Sequence, residues 1–174
     1  LNQVRAATIW GGSGDDSVQV DANGLTAGAA FYGGPGTDSL NVTGAVKTSS
    51  LFGDDGSSTA IDGNDSFVLS SDFSESYFSG GSGNDLFSAA GTVNAGSVYG
   101  GAGKDSITLG EITAAASVLG GAGNDVVSVG TSVQTGSVLG EAGADSILVV
   151  DVSRGYLSGG TGNDTLRVSD EFDE

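Results

Sequence analysis

The chain has 174 residues and a formal net charge of −17, from 22 acidic and 5 basic side chains. This charge argues against nucleic acid and anionic membrane surfaces as partners, because both require basic patches, and it favours cations. The absence of cysteine excludes disulfides and thiolate metal sites. No apolar run reaches the ~20 residues that a membrane span needs.

Composition also separates folded from disordered behaviour. The 32 glycines and the acidic charge are typical of disorder, but 37% of the residues are hydrophobic and β-branched residues recur in order. We therefore expect a folded chain when a cation is present and a disordered one without it. Residues 1–174 should form a single domain. Because the chain starts at Leu1 and not at Met, we expect it to be a piece of a longer protein.

Eight copies of one motif cover nearly the whole chain. They read IWGGSGDDSVQV from Ile9, FYGGPGTDSLNV from Phe31, LFGDDG…DGNDSFVL from Leu51, FSGGSGNDLFSA from Phe78, VYGGAGKDSITL from Val98, VLGGAGNDVVSV from Val118, VLGEAGADSILV from Val138 and LSGGTGNDTLRV from Leu157. Each copy closes on an aspartate, and the aspartates are Asp16, Asp38, Asp65, Asp85, Asp105, Asp125, Asp145 and Asp164. Repetition at a period of about 20 residues indicates stacked structural repeats.

Three apolar columns run through the copies. One precedes the glycines, as at Val118, and two follow the aspartate at alternate positions, as at Val127 and Val129. Alternation over a short β-branched run predicts a strand with one buried face. Each repeat is therefore predicted to be a strand, a Gly-rich turn, a second strand, and a second turn of small residues such as 130–137.

The predicted fold is an all-β parallel solenoid. Helices are disfavoured because glycine in a helix costs roughly 1 kcal/mol relative to Ala. One rung cannot bury its apolar face alone, whereas about eight stacked rungs, each ~4.8 Å apart, can. The Gly-Asp turns should then stack along one edge of a rod about 35–40 Å long.

The turn has the chemistry of a cation site. Glycine reaches positive φ without steric cost, so a G-G-x-G-x-D turn can aim backbone carbonyls at one point and add a carboxylate. An oxygen-only ligand set suits Ca²⁺ better than Mg²⁺, and better than zinc or copper. Stacked aspartates repel one another, and about seven Ca²⁺ between eight turns would bring about +14 against the −17 of the chain. The alternative is that each aspartate only favours a tight turn.

The segments GGSGDDSVQ, GGAGKDSIT, GGAGNDVVS and GGTGNDTLR resemble the RTX (repeats-in-toxin, haemolysin-type) calcium-binding nonapeptide. The resemblance implies a right-handed parallel β-roll or β-helix, calcium-driven folding and an exported bacterial protein, extracellular or on the cell surface. The resemblance implies that the eight closing aspartates are the side-chain ligands of calcium. It also assigns the carbonyl turns to Gly11, Gly33, Gly80, Gly100, Gly120, Gly140 and Gly159.

The sequence departs from that family at three points. The motif occurs once per rung and not every nine residues, so only one edge should carry calcium. Copy three has a loop insertion at 53–64, whose extra acids Asp54, Asp55 and Asp62 form either an additional site or a solvated loop. Copy seven has Glu141 in place of the second glycine. The sequence therefore does not predict the geometry of the ion site at Asp65 or at Asp145.

Catalysis is disfavoured, because the chain has no His or Cys and its carboxylates are assigned to ions. We expect a structural segment of a surface protein, such as an S-layer, sheath, filament or adhesin. The alternative is an accessory module for the secretion and refolding of a toxin, protease or polysaccharide-modifying enzyme. Self-association could use the rod ends or an outward stripe that precedes the turns. That stripe consists of Trp10, Tyr32, Phe52, Tyr99, Leu119 and Leu139.

Calcium titration followed by circular dichroism tests the electrostatic argument. We expect a disordered calcium-free chain and a cooperative gain of β signal at about 0.1–1 mM Ca²⁺, the range of extracellular calcium modules. A fully folded rod in excess chelator would contradict it.

Overall fold

The computed structural model describes residues 4–54 and 63–169, and every regular element within these ranges is a β-strand. The strands are β1 (Val4–Arg5), β2 (Thr8–Trp10), β3 (Ser17–Val20), β4 (Leu25–Thr26), β5 (Ala30–Tyr32), β6 (Ser39–Val42), β7 (Val46–Lys47), β8 (Ser50–Phe52), β9 (Ser66–Leu69), β10 (Phe73–Ser74), β11 (Tyr77–Ser82), β12 (Leu86–Asn94), β13 (Ser97–Ala102), β14 (Ser106–Thr113), β15 (Ser117–Ala122), β16 (Val126–Val133), β17 (Ser137–Ala142), β18 (Ser146–Val152), β19 (Tyr156–Thr161) and β20 (Thr165–Val168). No helix in the described ranges is long and apolar enough to cross a membrane.

The strands form two parallel sheets that wind together as a β-solenoid of about eight rungs. The strands that precede the glycine turns form an eight-stranded sheet, in the order β19-β17-β15-β13-β11-β8-β5-β2. The strands that follow the turns form a twelve-stranded sheet. In the later rungs one long strand turns the far corner of this sheet, with a register shift such as that between Leu109 and Ile112. The predicted all-β parallel solenoid is confirmed.

Equivalent residues of successive rungs lie side by side. Val98 pairs with Val118, and Val118 pairs with Val138, each 20 residues further along the chain. All three predicted columns face the interior, where members such as Val118 and Val129 are 0% and 1% exposed. Their last members on β20, Leu166 and Val168, are 45% and 47% exposed. The sequence repeat is therefore the rung repeat.

A fourth apolar column lies where a turn of small residues was predicted. Val133 belongs to β16 and is fully buried, so the expected second turn at 130–137 contains strand as well as turn. The prediction was wrong here because a single apolar residue between small polar neighbours produces no alternation. The column runs through Val4, Leu25, Val46, Phe73, Val93, Ile112, Val133 and Val152.

The insertion in rung three interrupts the repeat only locally. Of the predicted insertion at 53–64, the structure describes Gly53, Asp54, Gly63 and Asn64, whereas Asp55 and Asp62 lie outside the described residues. A Cβ on Gly63 would collide with the carbonyl oxygen of Gly36, and this stacking is shared by the third glycines of the other rungs. The described chain on both sides of the insertion therefore keeps the register of the stack.

An aromatic row marks the outer face of the eight-stranded sheet. Trp10 is 62% exposed and stacks on Tyr32, with ring centroids 4.3 Å apart and planes at 11°. Tyr32 stacks on Phe52 at 4.8 Å and 9°, and Phe52 contacts Tyr77 at 5.6 Å. The inner face carries a separate cluster in which Phe67 packs edge-on against Phe78. Parallel pairing places like side chains one rung apart, which is the spacing of stacked rings.

The third glycine of most turns is fixed by both conformation and space. Gly123 has φ +140°, and a Cβ there would collide with the carbonyl oxygen of Gly103 on the preceding rung. Gly130, at the far corner, has only the carbonyl oxygens of Leu109 and Gly110 near its Cβ position, at 3.6 and 3.9 Å. An added methyl group would therefore clash at Gly123 and would make only ordinary contacts at Gly130.

We expect Gly123→Ala to lower the free energy of unfolding of the calcium-loaded rod by roughly 2–3 kcal/mol, because it adds backbone strain and a clash. The matched Gly130→Ala should change it by less than about 0.5 kcal/mol. Urea unfolding in saturating calcium measures both. Equal effects of the two variants would contradict the proposed stacking constraint.

Candidate metal centre

The closing aspartates form one continuous ladder inside the glycine turns. The backbone N–H of each aspartate donates to Oδ1 of the aspartate on the next rung, over 2.7–3.0 Å, from Asp16 to Asp164. Six of the carboxylates are between 1% and 3% exposed, namely Asp38, Asp65, Asp85, Asp105, Asp125 and Asp145. The structure therefore brings the predicted side chains together in a row, and places them in the interior of the turns.

The second carboxylate oxygen of most ladder aspartates has no hydrogen-bond partner. This holds for buried Oδ2 atoms on six rungs, those of Asp16, Asp38, Asp85, Asp105, Asp125 and Asp145. A buried polar atom without a partner costs roughly 1–3 kcal/mol, and more when it is charged. A row of such atoms at the same place in successive rungs indicates that a group of opposite charge belongs there.

The first glycine of each turn opens a small space that two oxygens line. A Cβ on Gly100 would contact Oδ2 of Asp105 at 2.6 Å and the carbonyl oxygen of Gly120, on the next rung, at 2.5 Å. The same two kinds of oxygen surround the predicted positions Gly11, Gly33, Gly80, Gly120 and Gly140. At Gly159 the three nearest atoms all belong to Asp164. Each complete cradle thus combines a carboxylate from one rung with a carbonyl from the next.

Sequence reasoning missed Gly53, which has the same surroundings. Oδ2 of Asp65 and the carbonyl oxygen of Gly80 lie against its Cβ position. The motif reads Gly-Asp-Asp at this point, so the usual Gly-Gly pair is absent. The signal that could have found Gly53 is its place directly after the apolar column residue Leu51 and the outward Phe52.

The two irregular copies keep their place in the ladder. Oδ1 of Asp65 accepts from the backbone N–H of Asp38 at 2.7 Å, and Oδ1 of Asp145 accepts from Asp125 at 2.8 Å. Glu141 adopts the left-handed conformation of the glycine that it replaces, with φ 78°. A left-handed backbone costs roughly 1–2 kcal/mol for a residue with a side chain, and stacking on the neighbouring rungs overcomes this.

A second, outer ladder lies one residue before the aspartates. Oδ1 of Asn64 accepts the backbone N–H of Asn84, Oδ1 of Asn84 accepts that of Lys104, and Oδ1 of Asn124 accepts that of Ala144. Distances are 2.6–2.8 Å. These asparagines were not predicted as functional. They fix the backbone beside the carboxylates and so help to hold the turn in shape.

Burial raises the pKa of four ladder carboxyls. The pKa of Asp85 rises to about 8 and that of Asp125 to about 6. Loss of hydration is the main cause, the hydrogen bond from the preceding rung opposes it, and the carboxylates of neighbouring rungs add to it. Loss of hydration is also the main cause that raises the pKa of Asp38 and that of Asp105. The calcium-free turn therefore disfavours its own ionised form.

The comparison with protein families agrees with this geometry. The model of the RTX calcium-binding nonapeptide repeat matches four copies, at residues 8–22, 97–111, 117–131 and 156–171. The chain carries RTX calcium-binding repeats. The matched copies are those of rungs one, five, six and eight, and the unmatched rungs are the irregular rungs three and seven together with rungs two and four. No curated protein matches the chain.

The RTX turns fit a calcium ion. Calcium takes six to eight oxygen ligands, and the turns offer buried, partnerless carboxylate oxygens beside main-chain carbonyls of the next rung. Within the described ranges no three acidic side chains lie close enough to hold a metal by themselves, so carbonyls have to complete the set. When bound, calcium supplies positive charge where the calcium-free turn has buried negative charge. The domain is a calcium-binding repeat domain.

The raised pKa values predict how the calcium-free chain responds to pH. Folded-state stability from protonated Asp85 and Asp125 is fully present below pH 3.8, the ordinary value, and is lost as the pH rises through about 6 and about 8. In chelator we therefore expect the β signal in circular dichroism to increase when the pH falls from 8.5 to 5. Calcium affinity should decrease over the same range, because protons compete for the carboxylates.

The control is the double variant Asp85→Asn and Asp125→Asn, which keeps the Oδ1 acceptors and removes both titrating groups. Its β signal in chelator should depend less on pH than that of the wild type. An unchanged pH dependence in this variant would assign the effect to the overall charge and not to the ladder.

Proposed function

We propose that this domain is a structural segment of an exported bacterial surface protein, which calcium folds and stiffens. An S-layer, sheath, filament or adhesin is the class of parent protein. The observation that carries the proposal is the cradle at each turn, where the carboxylate of one rung faces the carbonyl of the next. An ion in that position contacts two successive rungs and links them. RTX repeat proteins are typically secreted by bacteria, which supports an extracellular or cell-surface location.

The link between rungs explains why such a segment would need calcium. Seven gaps separate the eight turns, so about seven ions would bring about +14 to a chain of −17. Neutralisation removes the repulsion along the ladder, and the stack then behaves as one rod. The cell interior keeps calcium low and the exterior supplies it near the affinity of extracellular modules, about 0.1–1 mM. The chain would therefore stay unfolded before export and fold afterwards.

The proposed role is not enzymatic. The side chains able to act as acid or base are mainly carboxylates, and the buried ones in the described ranges are the ladder aspartates, which are assigned to calcium. The interior beside them is filled by the four apolar columns. Function then lies in shape and stiffness, with the chemistry confined to ion binding.

The aromatic row supports a contact between rods. Trp10, Tyr32, Phe52 and Tyr77 form a continuous strip on one flat sheet face, and Trp10 and Tyr77 are 62% and 39% exposed. Exposed apolar strips of this kind mark interaction surfaces. We propose side-by-side association of calcium-loaded rods through this row.

Small-angle X-ray scattering tests the calcium-dependent stiffening. In chelator we expect a radius of gyration of about 44 Å, the value for an unfolded chain of this length, and in saturating calcium about 16 Å, the value for a folded one. The calcium-loaded particle should be a rod about 35–40 Å long. A compact rod in both conditions would contradict the proposal.

Sedimentation velocity in calcium tests the surface-assembly part. We expect concentration-dependent association in the wild type, and weaker association in the triple variant Trp10→Ser, Tyr32→Ser and Phe52→Ser. The matched control replaces Val126, which is 50% exposed on the other sheet, with Ser. A wild-type rod that stays monomeric at about 1 mM would favour the alternative, an accessory calcium-folding module of a secreted toxin, protease or polysaccharide-modifying enzyme.

A further inference from the structure

The strand pairing of rung four extends further toward rung five than toward rung three. Between two regular rungs the pairing runs from Tyr77 to Ser82, and it includes Gly81 with Gly101 and Ser82 with Ala102. Toward rung three it covers only Tyr77 to Ser79, opposite Ser50–Phe52. Rungs one and two also pair over three residues only, yet there the carbonyl oxygen of Gly12 lies against the Cβ position of Gly34.

At this place in rung three the oxygen comes from the side chain of Asp54. The backbone N–H of Ser82 donates to Oδ2 of Asp54 over 3.0 Å. Beside Gly81, too, a carboxylate oxygen occupies the place of a peptide oxygen. On the regular rungs a Cβ on Gly101 would meet the carbonyl oxygen of Gly81, whereas a Cβ on Gly81 itself would meet Oδ2 of Asp54. A carboxylate oxygen thus stands where a peptide oxygen stands elsewhere.

Rung seven shows that an acidic residue at this position does not have to behave this way. Glu141 also replaces the second glycine, yet its backbone stays in the sheet and pairs with Gly121 and Gly160. It is Glu141's own carbonyl oxygen that lies against the Cβ position of Gly160. Rung seven therefore uses a peptide oxygen at this place, whereas rung three uses the side-chain oxygen of Asp54.

The residues that Asp54 holds lead directly into a calcium turn. Gly81 and Ser82 lie between Gly80, which forms the cradle, and Asp85, whose carboxylate lines it. Asp54 is also close to that carboxylate. Besides burial and the two adjacent ladder aspartates, its charge contributes to the raised pKa of Asp85.

We propose that Asp54 is the positioning residue of the calcium turn in rung four. Its Oδ2 stands where a main-chain carbonyl stands on other rungs, and this keeps Gly81 and Ser82 in the conformation that places Asp85 and Gly80 around the ion. The inference rests on the calcium-binding function of the ladder and extends it to an aspartate that stands in place of the second glycine of the motif.

The test compares Asp54→Ala with Asp54→Asn, whose side-chain oxygen can accept the same hydrogen bond. Asp72→Ala is the matched control, because Oδ1 of Asp72 accepts the backbone N–H of Thr92 at 2.9 Å between the same two rungs but at the far corner. Amide hydrogen exchange at Ser82 and the calcium midpoint of the titration are measured for each variant.

We expect Asp54→Ala to accelerate exchange at Ser82 by about 5–10-fold in saturating calcium and to raise the calcium midpoint about 3-fold, since one hydrogen bond is lost. Asp54→Asn should stay within about 2-fold of the wild type in both. Asp72→Ala should accelerate exchange at Thr92 and leave the calcium midpoint within about 2-fold.

Wild-type protection at Ser82 in Asp54→Ala would overturn the inference. So would an Asp54→Asn variant that behaves like Asp54→Ala, because charge and not hydrogen bonding would then be responsible. If Asp54→Ala fails to fold, recovery or failure in Asp54→Asn decides the question. A wild-type chain that takes up no calcium would refute the proposed function instead, and exchange at Ser82 would still test Asp54.

Discussion

The stack depends on how a row of buried carboxylates is neutralised. Each rung places one aspartate inside its turn, where Oδ1 is satisfied by the preceding rung and Oδ2, on most rungs, is not. Parallel pairing fixes the distance between rungs at about 4.8 Å, so the negative charges cannot move apart without breaking the sheets. Apolar burial favours the stacked state and the buried charge opposes it. Calcium bound between the rungs would make the buried carboxylates stabilise the stack and no longer oppose it.

The same arrangement explains the glycine content. The first glycine leaves room for the carboxylate and the carbonyl of the next rung, and the third gives the turn a backbone conformation that a side chain would strain. Stacking makes the requirement stricter, because an added Cβ would strike the neighbouring turn as well as its own. Flexible residues therefore occupy a place that packing and ions together make rigid.

The irregular rungs show how much variation the stack tolerates. Rung seven keeps its main chain in register although Glu141 has to adopt φ 78°. On rung three the side chain of Asp54 supplies an oxygen where other rungs supply a main-chain carbonyl. The aromatic side chains Phe67, Phe78 and Phe87 pack together in the core of rungs three and four, which gives this part of the rod additional apolar contact. Both solutions leave the aspartate ladder continuous.

The sequence by itself determined the rung length, the strand type, three of the four core columns and the row of aspartates. These follow from spacing, because a period of about 20 residues with alternating apolar positions has one economical way to bury its apolar face. The tertiary structure decided what spacing does not encode. It placed the carboxylates inside the turns, gave their hydrogen bonds one direction along the rod, and added Val133 and its equivalents to the core. It also gave Gly53 and Asp54 the positions that a glycine and a peptide oxygen hold elsewhere. Those features arise from contacts between rungs, and a local motif contains only half of each contact.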